Sequence, residues 1–412
     1  MGALRDPRFR RLLAGQSLSS FGDTALYLTL GIWAKALTGS NAAAGGVFLA
    51  LGIPALFAPL AGHLADRVRR HRLLLITNAA TGLMVLSLLA VHSRAQLWII
   101  YVVAFCYGVA ASILNSAGAG LRKDMLAGDD LAAANAALQS VSQGLRIIAP
   151  LAGASLYVTV GGGAVAILDA ATFAAAIAAL ASIRVPESAP EAGSRGSFLR
   201  DATAGFRHIR AIPMLRQIIG VTACAFCVIG LNETIVFAVI SQGLHRPPSF
   251  FGILNSVQGA GSIAGGIAVA WLMRRIGAAR VIGLGLASFA LAALAYRTHS
   301  LALCLAGAAG DGIGLVWLVV GFSTAIGVHT PPRLQGRVSA AGTMLIMTPQ
   351  TISIAAGAAL ISFVDYKLLL LVVSAAVGAC ALFLLIRPAP EPAAAAADSP
   401  DEVLVRSAAP GP

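Results

Sequence analysis

The chain has 412 residues, of which 58% are hydrophobic and only 11% are charged, and its mean hydropathy is +0.83. A soluble domain carries about 25% charged residues, so this composition excludes a soluble globular protein. The net charge of +12 comes from short basic clusters between apolar runs, without the interleaved aromatic residues typical of nucleic-acid-binding proteins. We therefore expect no nucleic-acid partner. The cysteines lie inside apolar runs without a histidine cluster, so neither a metal nor another cofactor is expected.

Apolar runs of about 20 residues, the length that crosses ~30 Å of hydrocarbon, recur along the chain. They predict an all-α membrane protein with twelve transmembrane helices. The first six are expected near 11–36, 42–64, 73–92, 96–119, 134–159 and 162–183. The second six are expected near 216–241, 249–272, 279–297, 300–327, 338–361 and 365–387.

The basic residues predict the orientation of these helices. The segments before, between and after the spans can be numbered from the N-terminus. Most of the 29 Lys and Arg residues fall in the odd-numbered segments, which hold pairs such as Arg67 and Arg69 or Arg122 and Lys123. The even-numbered segments hold only Lys35, Arg94, Arg246, Arg297 and Lys367, and Arg146 falls within a span. Because basic loops stay on the cytoplasmic side, both termini are expected in the cytoplasm.

The longest polar interval divides the chain into two six-helix bundles, residues 1–183 and 216–387. Between them, residues 184–215 form a predicted cytoplasmic linker, in which the segment 198–212 has the apolar spacing of an amphipathic helix lying along the inner surface. Residues 388–412 are rich in Pro and Ala and predict a disordered cytoplasmic tail.

A weak internal repeat indicates pseudo-symmetry between the two bundles. Asp23 and Thr24 in the first span match Glu233 and Thr234 in the seventh. Two six-helix repeats in parallel topology are one arrangement from which alternating-access transporters are built, with the substrate site between the repeats. The repeat therefore predicts a central cavity between the two bundles.

Several motifs resemble the major facilitator superfamily over roughly residues 5–388. The most specific is the Gly-x-Leu-Ala-Asp-Arg-x-x-Arg pattern between the second and third spans. It comprises Gly62, Leu64, Ala65, Asp66, Arg67 and Arg70. Arg69, where many members have Gly, is similar to the branch that exports macrolides and siderophores. The first span is also similar to that branch in Phe9, Arg10, Leu12, Gly15, Gln16, Ser19, Phe21, Gly22 and Asp23, as is the segment Leu131, Ala134, Asn135 and Ala136.

The resemblance implies a gating latch on the cytoplasmic side, in which the motif contacts the other bundle. Its residues would be Gly62, Asp66, Arg67 and Arg70. The acid has the right sign to face a helix N-terminus near Arg337. The alternative is that the arginines of this loop only enforce topology.

The fifth span resembles the glycine and proline signature of exporters. Gly144, Pro150 and Gly153 carry the resemblance, and Ala149 replaces the Gly that usually precedes the proline. The signature implies a functional kink in this helix. The alternative is a plain proline kink packed by neighbouring helices.

Four acids and one base lie within predicted spans: Asp23, Asp169, Glu233, Asp311 and Arg146. A charge at mid-span costs about 2.5 to 3.5 kcal/mol on insertion scales, so these residues should be protonated, paired or in contact with water. Desolvation favours the neutral carboxyl, which would let such a group load and release a proton. Asp23 and Glu233 are the first candidates, Asp311 follows, and Asp169 is the weakest because it could be a packing residue. Arg146 could pair with an acid or contact an anionic substrate.

These expectations define a monomeric proton antiporter in a bacterial cytoplasmic (inner) membrane that exports small amphipathic molecules such as drugs, antibiotics or siderophores. Its partners would be the substrate, protons and the lipid bilayer. An importer of a nutrient or metabolite on the same fold remains an alternative, as does a non-transporting membrane receptor. No nucleophile motif points to an enzyme, and none of the three lysines (Lys35, Lys123, Lys367) follows Gly as the phosphate-binding loop of an ATPase requires.

Overall fold

The computed structural model describes residues 5–57, 67–126, 128–183, 185, 197–331 and 334–387, and these residues are almost entirely helical. The helices that precede the linker are α1 (Pro7–Thr38), α2 (Asn41–Gly52), α3 (Arg70–Leu86), α4 (Leu97–Met125), α5 (Gly128–Thr159) and α6 (Gly162–Ala181). The helices that follow are α7 (Ser197–Ala211), α8 (Pro213–Ile229), α9 (Asn232–Ala238), α10 (Phe250–Tyr296), α11 (Leu301–His329), α12 (Gln335–Leu360) and α13 (Tyr366–Ile386). A 3-10 turn at Ile53–Phe57 extends α2, and a π turn at Val239–Gly243 extends α9.

Short polar side chains mark where several helices begin. Asp6, Ser40, Ser300 and Asp365 each accept a hydrogen bond from a backbone N–H in the first turn of α1, α2, α11 and α13. Such caps satisfy donors that have no partner inside a helix. Gly39 ends α1 with φ 71°, a left-handed conformation that glycine adopts without a Cβ penalty.

Eight helical segments of the described chain are long and apolar enough to cross a bilayer. Many of their apolar side chains face outward, such as Leu83 (72% exposed) and Ile267 (80% exposed), as expected for lipid contact. The number twelve stays a prediction. Two of the predicted spans, 249–272 and 279–297, correspond to the two helical parts of α10, which meet at the non-helical residue Gly277.

The break at Gly277 has φ 78° and ψ 167°, a region that side chains with a Cβ rarely adopt. Two other helices, α1 and α5, are 32 residues each and so roughly 48 Å long at 1.5 Å per residue. They are not among the eight apolar segments. In α1 the reason is a polar face that includes Gln16, Ser20 and Asp23 and that lines the cavities described below.

Helices α1–α6, here the N-terminal helices, pack largely on one another, and so do α8–α13, the C-terminal helices. The two groups meet where α5 packs against α10 and where α2 packs against α9 and α12. The Ser256 hydroxyl donates to the Ile147 carbonyl at 2.6 Å. A Cβ placed on Gly45 would lie 2.9 Å from the Thr234 Cβ, so the backbones of α2 and α9 nearly touch.

An aromatic cluster fills the same junction. Phe48 of α2 stacks on Phe237 of α9 at 6.1 Å between ring centroids, and Phe251 of α10 lies 6.0 Å from Phe48 and 4.9 Å from Phe237. These residues lie toward the helix ends opposite to those that carry Arg10, Arg122 and the other clustered arginines. We call the two sides the aromatic end and the arginine-rich end.

The linker helix α7 packs against the C-terminal helices. Ile209 is 5% exposed and belongs to the core of the C-terminal helices. Gly205 lies against the backbone carbonyl of Arg337, so α7 packs closely on α12. Of the predicted apolar face, Ile209 thus packs among the C-terminal helices. The tail 388–412 lies outside the described residues.

We predict that Gly312→Ala lowers the melting temperature of the purified protein by several degrees. A Cβ at this position would collide with the Gln258 carbonyl, and overpacking costs about 1 to 3 kcal/mol. The control is Gly327→Ala in the same helix, where a Cβ meets open space and the melting temperature should be unchanged or slightly higher. Equal melting temperatures for the two variants would contradict the close packing of α10 and α11.

Candidate functional site

A cavity of about 650 Å³ lies between the N-terminal and C-terminal helices. Asp23 of α1 lines it from one side and Glu233 of α9 from the other. Its remaining walls mix amide side chains with aromatic and aliphatic ones. These include Asn115, Asn255, Gln258, Gln350, Leu28, Phe226, Phe251 and Phe289. Such a lining suits a molecule with both apolar and polar parts.

The helix that carries Glu233 is locally irregular. Residues 216–241 were predicted as one span, and α8 and α9 form a single candidate span, Pro213–Gly243, because Gly230 and Leu231 between them keep right-handed helical φ and ψ. The Glu233 N–H bonds to the Gly230 carbonyl at 3.3 Å, three residues earlier, as in a 3-10 turn. Gly230 lies against the Gln350 carbonyl of α12, an approach that a side chain would block.

Asp23 belongs to a cluster with a second acid that the sequence ranked lowest. The Tyr107 hydroxyl of α4 contacts Asp23 Oδ1 closely and Asp169 Oδ2 at 3.3 Å. Asp169 is fully buried, and its Oδ1 accepts from the Thr172 hydroxyl at 3.4 Å. Asp169 is thus a hydrogen-bonded interior residue behind Asp23 and is not part of the wall of the central cavity.

Glu233 likewise has a buried acid nearby. Asp311 of α11 is 7% exposed, and its Oδ2 accepts a hydrogen bond from the Tyr296 hydroxyl at 2.7 Å. Glu233 and Asp311 both line a smaller cavity of about 130 Å³ within the C-terminal helices. The glycines beside Asp311 allow close contact between helices, because a Cβ on Gly314 would lie 2.6 Å from the Gly285 carbonyl.

The structure describes part of the predicted latch. Gly62 and Asp66 lie outside the described residues, and Arg67 is exposed. Arg70 Nη1 lies 2.8 Å from Asp124 Oδ2, so it joins α3 to α4 within the N-terminal helices. The contact between bundles that the resemblance implied therefore stays a prediction.

The fifth helix carries three predicted residues with different surroundings. Pro150 lines the central cavity, and its carbonyl would lie 2.8 Å from a Cβ on Gly252 of α10. A Cβ on Gly153 would lie 2.9 Å from the Ala25 Cα of α1, whereas Gly144 faces open space. Helix α5 continues through all three positions. The side chain of Arg146, on the same helix, lies outside the described part of the chain.

Sequence reasoning missed the two tyrosines. Tyr107 and Tyr296 each occur in an apolar run, where a tyrosine reads as one more aromatic packing residue. The available signal was that a buried phenol needs a hydrogen-bond partner, and buried carboxyls need donors. Within the described residues, no three His, Cys, Asp or Glu side chains are grouped so as to hold a metal ion.

The family model described as "Major Facilitator Superfamily" matches residues 12–235 and 221–408. The chain belongs to the major facilitator superfamily, and it is a multi-pass membrane transporter rather than an enzyme. No curated protein matches its sequence.

Solved structures of transporters share the fold at low sequence identity. The nucleoside transporter NupG has a TM-score of 0.70 and 15% identity, over 92% of this chain and 98% of its own. A bacterial homologue of the iron transporter ferroportin, solved in an inward-facing state, has a TM-score of 0.68 and 16% identity, over 92% and 99%. A POT family transporter in complex with 5-aminolevulinic acid has a TM-score of 0.73 and 10% identity, over 92% and 96%.

We predict that Tyr107→Phe destabilises the protein, because it removes the donor that both Asp23 and buried Asp169 contact. Loss of a hydrogen bond to buried polar groups costs about 1 to 3 kcal/mol. The matched control is Tyr157→Phe, since the described residues give the Tyr157 hydroxyl no hydrogen bond. Thermal unfolding in detergent should show a lower melting temperature for the first variant only. Identical unfolding of both would refute the role of this hydroxyl.

Proposed function

We propose that this transporter exports small amphipathic molecules, such as drugs, antibiotics or siderophores, in exchange for protons. It would act in a bacterial cytoplasmic membrane with both termini in the cytoplasm. The observation that carries the proposal is the central cavity, which Asp23 and Glu233 line from opposite groups of helices. The basic loops and the resemblance to exporters in the first and fifth spans support the orientation and the direction.

The acids are suited to exchange a proton for the substrate. A carboxylate in this cavity can bind a polar or cationic part of a substrate, and a proton arriving from outside would neutralise it and release that substrate. Each acid has a second acid and a tyrosine close by. A phenolic hydroxyl has one proton and can donate to only one carboxylate at a time. Tyr107 can therefore hydrogen-bond both Asp23 and Asp169 when one of the two carboxyls is protonated and donates to the tyrosine oxygen.

Access to the cavity alternates in this proposal between the arginine-rich end and the aromatic end. The contacts among Phe48, Phe237 and Phe251 close the aromatic end. Opening there requires the two groups, residues 1–183 and 216–387, to rock apart at this cluster. The latch formed by Gly62, Asp66, Arg67 and Arg70 would then close the arginine-rich end, and the kink of α5 at Gly144, Pro150 and Gly153 would accommodate the motion.

Transport in inside-out membrane vesicles tests the coupling. We expect uptake of fluorescein, Nile red or ethidium to increase when the vesicle interior is more acidic than the outside. The double variant Asp23→Asn with Glu233→Gln should abolish this dependence on the pH gradient. The control is Asp365→Asn at the start of α13, which keeps a capping side chain and lies away from the cavity. Gradient-driven uptake that survives removal of both acids would disprove proton coupling. Transport of these probes only out of the vesicles would favour the importer.

A further inference from the structure

A second cavity, of about 370 Å³, lies inside the N-terminal helices and reaches toward the arginine-rich end. It shares the lining residues Asp23, Asn115 and Ser142 with the central cavity, so the two cavities adjoin one another. Its walls are rich in neutral polar groups, among them Gln16, Asn78 and Gln139. The proposed coupling mechanism does not use this branch, and we refer to it as the side cavity.

The side cavity contains one basic side chain that sequence reasoning placed elsewhere. The fourth span was predicted to end near residue 119, with Arg122 in a cytoplasmic loop, but α4 continues to Met125. Arg122 is half-buried and lines the side cavity. It therefore faces a cavity within the protein as well as contributing to the distribution of basic charge.

The guanidinium of Arg122 is directed into the protein. A Cβ placed on Gly118, one turn earlier in α4, would lie 3.4 Å from Arg122 Nη1 and 3.2 Å from Gln16 Nε2. An arginine that only anchors a helix end extends toward water and lipid headgroups. Here the absence of a side chain at Gly118 leaves room for the guanidinium to fold back along α4 beside the amide of Gln16.

Among the residues that the structure describes, Arg122 has no acidic partner. Its one hydrogen bond in the described chain runs from Nε to the neutral Asn135 Oδ1 at 3.0 Å, and no carboxylate forms an ion pair with it there. The neighbouring acid, Asp124, is engaged by Arg70. A half-buried cation without a counter-ion, next to an amide donor and open to a cavity, is an anion-binding arrangement.

We propose that Arg122 and Gln16 bind an anionic group of the substrate, a carboxylate or sulfonate, so that the transported molecules are amphipathic anions. The inference rests on the proposed export function and adds its substrate class. Asp23 lies seven residues from Gln16 along α1, which corresponds to roughly 10 Å at 1.5 Å per residue. A substrate of that length, with an anionic end and a polar or basic group at the other, reaches both subsites.

Binding to the purified full-length transporter in lipid nanodiscs tests the proposal directly. The probes are fluorescein, taurocholate and 8-anilinonaphthalene-1-sulfonate as anions and ethidium as a cation, measured by equilibrium dialysis against empty nanodiscs. We expect at least one of the anions to bind, and Arg122→Gln to weaken that binding about tenfold or more, as expected for loss of a charge-assisted hydrogen bond. Arg122→Lys should retain more of the affinity.

Two further variants separate the site from general charge effects. Arg10→Gln removes one exposed positive charge at the same end and should leave anion binding unchanged. Gly118→Leu keeps the charge but fills the space beside the guanidinium, and should weaken anion binding as Arg122→Gln does. The second variant tests the site independently if Arg122→Gln fails to fold.

Binding of ethidium with no binding of any of the three anions would overturn the proposal. So would unchanged anion affinity in Arg122→Gln, or equal losses in Arg10→Gln and Arg122→Gln. This assay requires neither turnover nor a pH gradient. Anion binding that depends on Arg122 in a protein without proton-driven export would therefore refute the proposed function and leave the substrate class standing.

Discussion

A carboxyl group within the hydrocarbon layer must contact water, a hydrogen-bond donor or an opposite charge, because its ionised form is poorly solvated by lipid. In this transporter the constraint is met in two ways. Asp23 and Glu233 face the central cavity, whereas Asp169 and Asp311 lie in the interior beside the hydroxyls of a tyrosine. The tyrosine contacts join α1, α4 and α6 among the N-terminal helices, and α10 and α11 among the C-terminal helices.

Close packing at the aromatic end is the second determinant of the structure. Lipid provides no hydrophobic force between helices, so association depends on small residues that let backbones approach and on shape complementarity. Gly45 against Thr234 and the contact of Phe48 with Phe237 provide both. Because these contacts join helices of different groups, the proposed opening of the cavity on this side requires them to break. The polar space nearer the arginine-rich end, which holds Arg122, has a different character and is suited to receive a charged molecule.

The all-helical membrane fold was predictable because it depends on apolar runs and on the sign of charges between them, which the sequence displays directly. The internal repeat predicted that Asp23 and Glu233 face one cavity from opposite bundles. It did not predict the tyrosine partners, because apolar periodicity does not reveal which buried phenol lies beside which carboxyl. The extension of α4 to Met125 depends on contacts with other helices, so hydropathy placed Arg122 in a loop.

The central claim is that one cavity containing Asp23 and Glu233 opens to the two sides of the membrane in turn. Double electron–electron resonance in nanodiscs tests it with one spin-label pair at His92 and Arg246, at the aromatic end, and another at Arg10 and Arg216, at the arginine-rich end. The account predicts that changing the pH from 8 to 5.5 shifts the two distances in opposite directions. It also predicts that Asp23→Asn with Glu233→Gln abolishes this response. Distances that stay fixed at both ends, or that lengthen together, would contradict alternating access in this protein.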